Sequence, residues 1–172
     1  MSEKGYRTAE DLMRELQSDP EYCARMAEKD ARYRRREAKY AALEAPMFAE
    51  LHGKGYPCAT LQDLMLKYAP LDETITGILL RWLQKQDEPR VQEMLARALG
   101  ASGVPFDASP LIRCFEATFD EGVRDAVLNT IALAKPTGTE AWLEQLAARE
   151  PGRRKFMKAL GIWPDEQGPQ GA

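Results

Sequence analysis

The chain is poor in the residues that do chemistry. Among its 172 residues there is one histidine, His52, and three cysteines, Cys23, Cys58 and Cys114. A hydrolase of the Ser-His-Asp or Cys-His type would depend on that single imidazole. His52 lies beside Gly53 at an expected helix end, where a histidine cation suits the helix dipole. The cysteines are odd in number and far apart, which excludes the close spacing of a zinc site and a disulfide framework. Inert thiols in a reducing compartment are expected. No Glu-x-x-His motif accompanies the scattered carboxylates. Gly53-Lys54-Gly55 is too short for a phosphate loop and reads as a hinge. No catalytic residue, cofactor or metal is therefore expected. Long apolar runs are also missing, so no segment reaches the roughly 18 residues of a membrane span. The opening Met1-Ser2-Glu3-Lys4-Gly5 is polar, unlike a secretory signal. A cytoplasmic location is expected.

What the chain does have is a repeat. Leu79, Leu80, Arg81 and Leu83 align with Leu111, Ile112, Arg113 and Phe115, thirty-two residues on, and Val91, Leu95 and Leu99 align with Val123, Val127 and Ile131. A fixed period of about 20–50 residues marks stacked helical units. In the first unit, Leu71 to Lys85 forms one helix, Asp87-Glu88-Pro89 turns the chain, and Arg90 to Leu99 returns. In the second, Ser109-Pro110 caps and starts a helix through Phe119, Asp120-Glu121-Gly122 turns, and Val123 to Ala134 returns. A third, degraded unit starts at Thr139, with Trp142, Leu143 and Leu146. It turns at Glu150-Pro151-Gly152 and returns through Phe156 and Leu160. A short helix from Thr60 to about Tyr68 precedes the repeats.

Residues 1–57 follow another pattern. Thr8-Ala9-Glu10-Asp11 predicts a capping box at the start of the first helix. Asp19 and Pro20 predict the cap and first position of the next. From Pro20 to about Ala45 no Gly or Pro intervenes, which predicts one long helix, and Pro46 either kinks it or starts a new helix through Leu51. Its apolar positions Met26, Tyr33, Tyr40 and Met47 recur every seven residues. Such a narrow seam docks on the helix's own domain, pairs with a second copy, or belongs to a free solvated helix. Asp165 to Ala172, rich in Gly, Pro and Gln, reads as a disordered tail.

Charge is unevenly spread. Residues 1–57 balance at 11 basic and 11 acidic side chains, residues 58–150 carry 9 against 14, and residues 151–172 carry 4 against 2. The acidic middle does not suit a general duplex-DNA binder. The run Arg32-Tyr33-Arg34-Arg35-Arg36 is the strongest local charge feature. Glu28–Arg32 and Asp30–Arg34 have the spacing of helix ion pairs, so a self-paired, solvated face is expected there. The alternative is contact with phosphates.

Glu88-Pro89-Arg90-Val91-Gln92-Glu93 through Ala98-Leu99-Gly100, and Asp120-Glu121-Gly122-Val123-Arg124-Asp125, resemble the HEAT-repeat class over about residues 71–162. The resemblance implies an α-solenoid with a protein-binding or scaffolding role and brings no catalytic residues. The expected fold is all-α: residues 1–57 a helical segment with one long helix, residues 58–164 a short HEAT-like solenoid. The expected function is a non-enzymatic module whose return helices hold a protein or peptide. An inhibitor or immunity-type protein, steered by the acidic middle onto a basic partner, is one version. Candidate partner-binding residues are Arg90, Glu93, Arg97, Arg124, Asp125, Arg153, Arg154 and Trp163. The second reading is nucleic-acid binding through Arg32, Arg34, Arg35 and Arg36 together with Arg153–Lys158. Acidic side chains at the turns (Asp87, Glu88, Asp120, Glu121) read as helix caps or as a ridge for a basic partner.

Overall fold

A computed structural model describes residues 8–163. The polar amino terminus and the tail expected over 165–172 lie outside the described residues. The fold is all-α, and among the described residues there is no strand. The helices are α1 (Ala9–Ser18), α2 (Pro20–Gly53), α3 (Leu61–Tyr68), α4 (Glu73–Leu83), α5 (Pro89–Leu99), α6 (Ser109–Ala117), α7 (Glu121–Ala134), α8 (Glu140–Arg149) and α9 (Arg154–Ala159), with a 3-10 turn at Pro151–Arg153 before the last. The chain divides into two compact units inside α2, one ending at Ala42 and the other beginning at Leu43.

Local chemistry sets the helix starts. The Thr8 hydroxyl accepts from Asp11 N at 3.1 Å while the Asp11 carboxylate accepts from Thr8 N, closing the capping box. Asp19 accepts from the amides of Glu21 and Tyr22. Asp72 caps α4 through Ile75 N, and Asp120 caps α7 through Val123 N at 3.0 Å. Two starts differ from the sequence expectation. Asp107, not Ser109, supplies the oxygen at α6, accepting from Ser109 N and Oγ. Thr139 occupies the cap position of α8 without a side-chain cap bond. The end of α6 differs too. Thr118 turns extended at φ −118° and ψ 149°, so the helix stops at Ala117 and leaves Phe119 96% exposed.

Pro46 neither ends nor restarts α2, which runs on to Gly53. An interior proline costs about 3 kcal/mol. Burying Met47 and Leu51, both solvent-free here, is worth about 1.5–3 kcal/mol each and offsets it. Pro46 has no N–H to offer the Ala42 carbonyl, and the division between the units falls at that residue.

The second unit is layered. α3 lies along α5, α5 along α7, and α4 along α6. The thirty-two-residue alignment is matched by burial. Leu79, Leu83, Leu111 and Phe115 are all buried, as are Val91, Leu95, Leu99, Val123, Val127 and Ile131. Leu80 and Ile112 are both half-buried, and Arg81 and Arg113 both exposed. The loops between layers stack as well. Leu71 pairs in parallel with Ser102, and Asp107 with Thr137. In the last layer Trp142, Leu143 and Leu146 are buried. Met157 is the fully buried residue of α9, and Phe156 and Leu160 are only half-buried.

Sequence spacing did not anticipate one set of contacts. Ahead of the repeats, the end of α2 bonds to α4 and α3 packs on α5. Glu50 on α2 accepts from the Trp82 indole at 2.8 Å and pairs with Arg81.

Candidate partner-binding surfaces

Side chains that reach from one layer to the next hold the outer face of the second unit. Glu50 takes Trp82 and Arg81. Gln84, capping the end of α4, accepts from Arg113 of α6 at 2.8 Å. Glu116 of α6 accepts from the Trp142 indole at 2.8 Å and from Arg149 at 2.6 Å. The Trp142 ring also meets Phe115 edge-on, centroids 5.1 Å apart. The Trp82 hydrogen bond, together with Arg81, holds the Glu50 carboxyl below the usual carboxylate range. At Glu116 burial pushes the carboxyl up, but Trp142 and Arg149 outweigh it and the net direction is down.

On the return helices, α5 presents Arg90, Glu93 and Arg97 as one row. Glu93 accepts from Arg90 at 3.1 Å and from Arg97 Nε at 3.0 Å. The row abuts α7 at Gly122, where a Cβ would stand 3.5 Å from Glu93 Oε2. Further along α7, Leu133 is 72% exposed.

Beside that row lies the densest charge cluster of the unit. Arg153 donates to Glu150 at 2.9 Å, to Asp125 at 3.0 Å and to Glu121. Arg124 donates to Glu150 and stands 3.7 Å from Glu121. Both guanidinium groups lie over the Phe115 ring, 4.2 and 5.6 Å from its centroid. Their side chains are only 14% and 13% exposed. Burial pushes the Glu150 carboxyl up, but its bonds to Arg124 and Arg153 prevail and hold it low. Arg153 is disfavoured by burial, yet Glu121, Glu150 and Asp125 raise its pKa above the ordinary guanidinium value. Arg124 Nε is buried with no partner. An open recess of about 460 Å³ sits over the cluster, lined by both arginines, their three acids, Gly152 and Phe156.

The eight candidate partner residues therefore separate. Arg90, Glu93 and Arg97 stand together on α5. Arg124, Asp125 and Arg153 come together in the half-buried ion-pair cluster. Arg154 is half-buried and donates to the Ala147 carbonyl at 2.8 Å. Trp163 is half-buried just beyond α9. Of the acids at the turns, Asp120 caps α7 and Glu121 pairs with Arg153 and Arg124. Glu116 and Glu150, missed by sequence reasoning, are the anchors here. The Glu150-Pro151 echo of Glu88-Pro89 marked the position, but nothing in the spacing showed what the carboxylate would meet.

In the first unit, Arg32, Arg34, Arg35 and Arg36 are all exposed on α2. Arg36 stands 5.5 Å from the Tyr33 ring centre. Lys29, Asp30, Arg32, Tyr33 and Arg36 line a shallow groove of about 370 Å³. Among the described residues no ion pair within 4.0 Å joins Glu28 to Arg32 or Asp30 to Arg34. The self-paired face expected from spacing is not formed. Exposed helix pairs are worth only about 0.3–0.5 kcal/mol, too little to hold long side chains in one geometry. Of the seven-residue seam, Met26 and Tyr33 are exposed, Tyr40 is half-buried, and Met47 belongs to the core of the second unit.

His52 and the cysteines have structural surroundings. His52 Nε2 lies 3.1 Å from the Cys58 amide and 2.7 Å from its carbonyl, tying the end of α2 to the loop before α3. Cys58 and Cys114 are buried and Cys23 is exposed. Burial pushes the Cys114 thiol up to about 11, which keeps it protonated at neutral pH. Among the described residues no cluster of three or more His, Cys, Asp or Glu could hold a metal ion, and no helix is long and apolar enough to cross a membrane. No protein-family model matches the chain, and no curated protein or solved structure is significantly similar to it.

Proposed function

We propose that the chain is a non-enzymatic protein-interaction module, a short HEAT-like α-solenoid whose return helices hold a protein or peptide. One observation carries the reading. The row Arg90–Glu93–Arg97 lies on α5 next to α7, and the ion-pair cluster beside it is roofed by an open recess of about 460 Å³. Fixed charges beside a recess and the exposed Leu133 supply the polar rim and apolar contact that interfaces combine. Arg124 and Arg153 serve this face from beneath. Their carboxylate bonds tie α7 to the turn before α9, so the surface is pre-organised, which lowers the cost of binding. The recess contains three acids against two arginines and so favours a basic side chain from the partner. An inhibitor or immunity-type protein acting on a basic target is the version this charge favours.

The test is capture from the native host with the whole chain, wild type against Arg90→Glu/Arg97→Glu. A protein retained by the wild type and lost by the variant, at equal thermal stability, supports the reading. Identical capture by both overturns the assignment of this face.

A further inference from the structure

The first unit carries a surface that the return-helix reading does not use. At 3.6 residues per turn, Arg25, Lys29, Arg32, Arg36 and Lys39 recur at spacings of four and three, inside a sector about 80° wide and about 21 Å long. Arg25, Lys29, Arg32 and Arg36 are exposed. Tyr22, Met26, Tyr33 and Tyr40 form a second strip along one edge of the first, spaced four, seven and seven residues apart. Asp30 and Glu37 fall beyond the tyrosines, Glu28 borders the other edge, and the back of the helix is mostly alanine. From Arg25 to Lys39 there are seven basic side chains against three acidic ones. Among the described residues no carboxylate lies within 4.0 Å of Arg25, Lys29 or Arg32. Arg36 instead stacks on Tyr33, beside the groove of about 370 Å³.

We propose that this two-strip face of α2 binds single-stranded nucleic acid, the cations on the sugar–phosphate backbone and the tyrosines on the bases. A row of cations with rings beside it is what sequence-tolerant single-strand binding needs, because every base offers a flat face. A duplex would satisfy the cations but hide its base faces from the tyrosines. An acidic protein segment would give the rings nothing to stack on. An anionic membrane surface favours a broad face of Leu, Phe or Trp, and tyrosine and alanine stand there instead. Ring stacking and phosphate contact accept any base, so the binding does not depend on sequence.

The test is fluorescence anisotropy of the whole chain with a labelled oligothymidylate of about 20 nucleotides. Four phosphate contacts on a single strand give a log–log salt slope of about −3, or about a 50-fold loss of affinity between about 50 and 200 mM salt. Arg25→Gln/Lys29→Gln/Arg32→Gln/Arg36→Gln is expected to abolish binding at the higher salt. Glutamine keeps helix propensity, and the circular dichroism spectrum should be unchanged. Arg34→Gln/Arg35→Gln, off the strip, should cost less. Tyr33→Ala should weaken binding about fivefold or more while leaving the salt slope as it was. The proposal is overturned by no binding at low salt, by a Tyr33→Ala variant that binds like wild type, or by equal or tighter binding of the same-length duplex. Equal binding of polyglutamate or of phosphatidylserine vesicles overturns it as well.

Discussion

Thr130 offers the sharpest test of how the return helices hold together. It is fully buried on α7, and its hydroxyl donates to the Ala96 carbonyl of α5 at 2.6 Å and to the Ala126 carbonyl of its own helix at 2.9 Å. The last four carbonyls of a helix lack helical partners. In α5 those of Arg97, Ala98 and Leu99 take the amides of Gly100, Ala101 and Ser102. The Ala96 carbonyl takes the Thr130 hydroxyl. Thr130→Val keeps the shape and leaves that carbonyl buried without its donor, at about 1–3 kcal/mol. Relief of the hydroxyl's own desolvation returns part of this, so a net loss of about 1–2 kcal/mol is expected. For a chain of this size that is a fall of about 3–6 °C in Tm. Thr130→Ser keeps the bond and loses one methyl, costing about 1 kcal/mol. Urea unfolding followed by tryptophan fluorescence should show both midpoints lowered at constant m-value. A Thr130→Val protein as stable as the wild type, or more so, would refute the reasoning. Valine is the more apolar side chain and would win if the inter-helix bond carried no weight.

Acid should loosen the second unit. The folded-state pKa values of Glu50, Glu116 and Glu150 are all depressed, so the stability they contribute is present above the ordinary value of 4.5 and is lost as pH falls through their folded values. The urea midpoint should therefore drop below about pH 4.5, and Glu50→Gln/Glu116→Gln should flatten that drop. An equally steep fall in the variant would assign it to other groups. At the end of α7, Lys135 holds φ 48° and ψ 53°, a left-handed cap that glycine adopts without strain. Lys135→Gly is expected to raise stability by up to about 1 kcal/mol, measured by thermal unfolding. A Cβ at Gly103 would stand 2.7 Å from Pro70 Cβ, where the loops of two layers meet. Gly103→Ala should cost about 1–3 kcal/mol, and an unchanged urea midpoint would show that the loop yields freely.

The repeat was legible because burial has a period. Leu79 and Leu111, or Val91 and Val123, occupy equivalent places in successive layers, and apolar side chains must recur wherever a layer recurs. The caps at Thr8, Asp19 and Asp120 were legible because they act within three residues. What stayed hidden depends on partners some thirty residues away. Glu50 gave no sign that it would receive Trp82 and Arg81, so the end of α2 did not read as part of the repeat region. At Pro46 local propensity allowed a new helix and burial of Met47 and Leu51 favoured continuing the old one, so α2 runs through it. On the candidate surfaces, charge was visible and its pairing was not. Arg124 and Arg153 read as outward-facing contacts and lie mostly buried on carboxylates, while the expected pairs at Glu28 and Asp30 did not form.

The two groups of arginines show why a basic residue cannot be assigned from its neighbours in sequence. A guanidinium at 13% exposure survives burial only if its charge is met, and Arg153 has three carboxylates and a ring face within reach. Arg153 spends its donors on all three carboxylates at once, so such an arginine is committed to the fold and has little left for a partner. Arg25 and Arg32 are in the opposite state. They stay hydrated, no carboxylate lies within 4.0 Å among the described residues, and a polyanion would displace only water and counterions. Lysine would serve nearly as well on that strip, as Lys29 does, because a phosphate backbone asks for charge at intervals. It would fail at position 153, where the planar fork of arginine bonds Glu150, Asp125 and Glu121 at once. Arg153→Lys should therefore weaken the fold, whereas Arg32→Lys should leave both fold and binding nearly intact, and that asymmetry separates a structural cation from one held ready for a ligand.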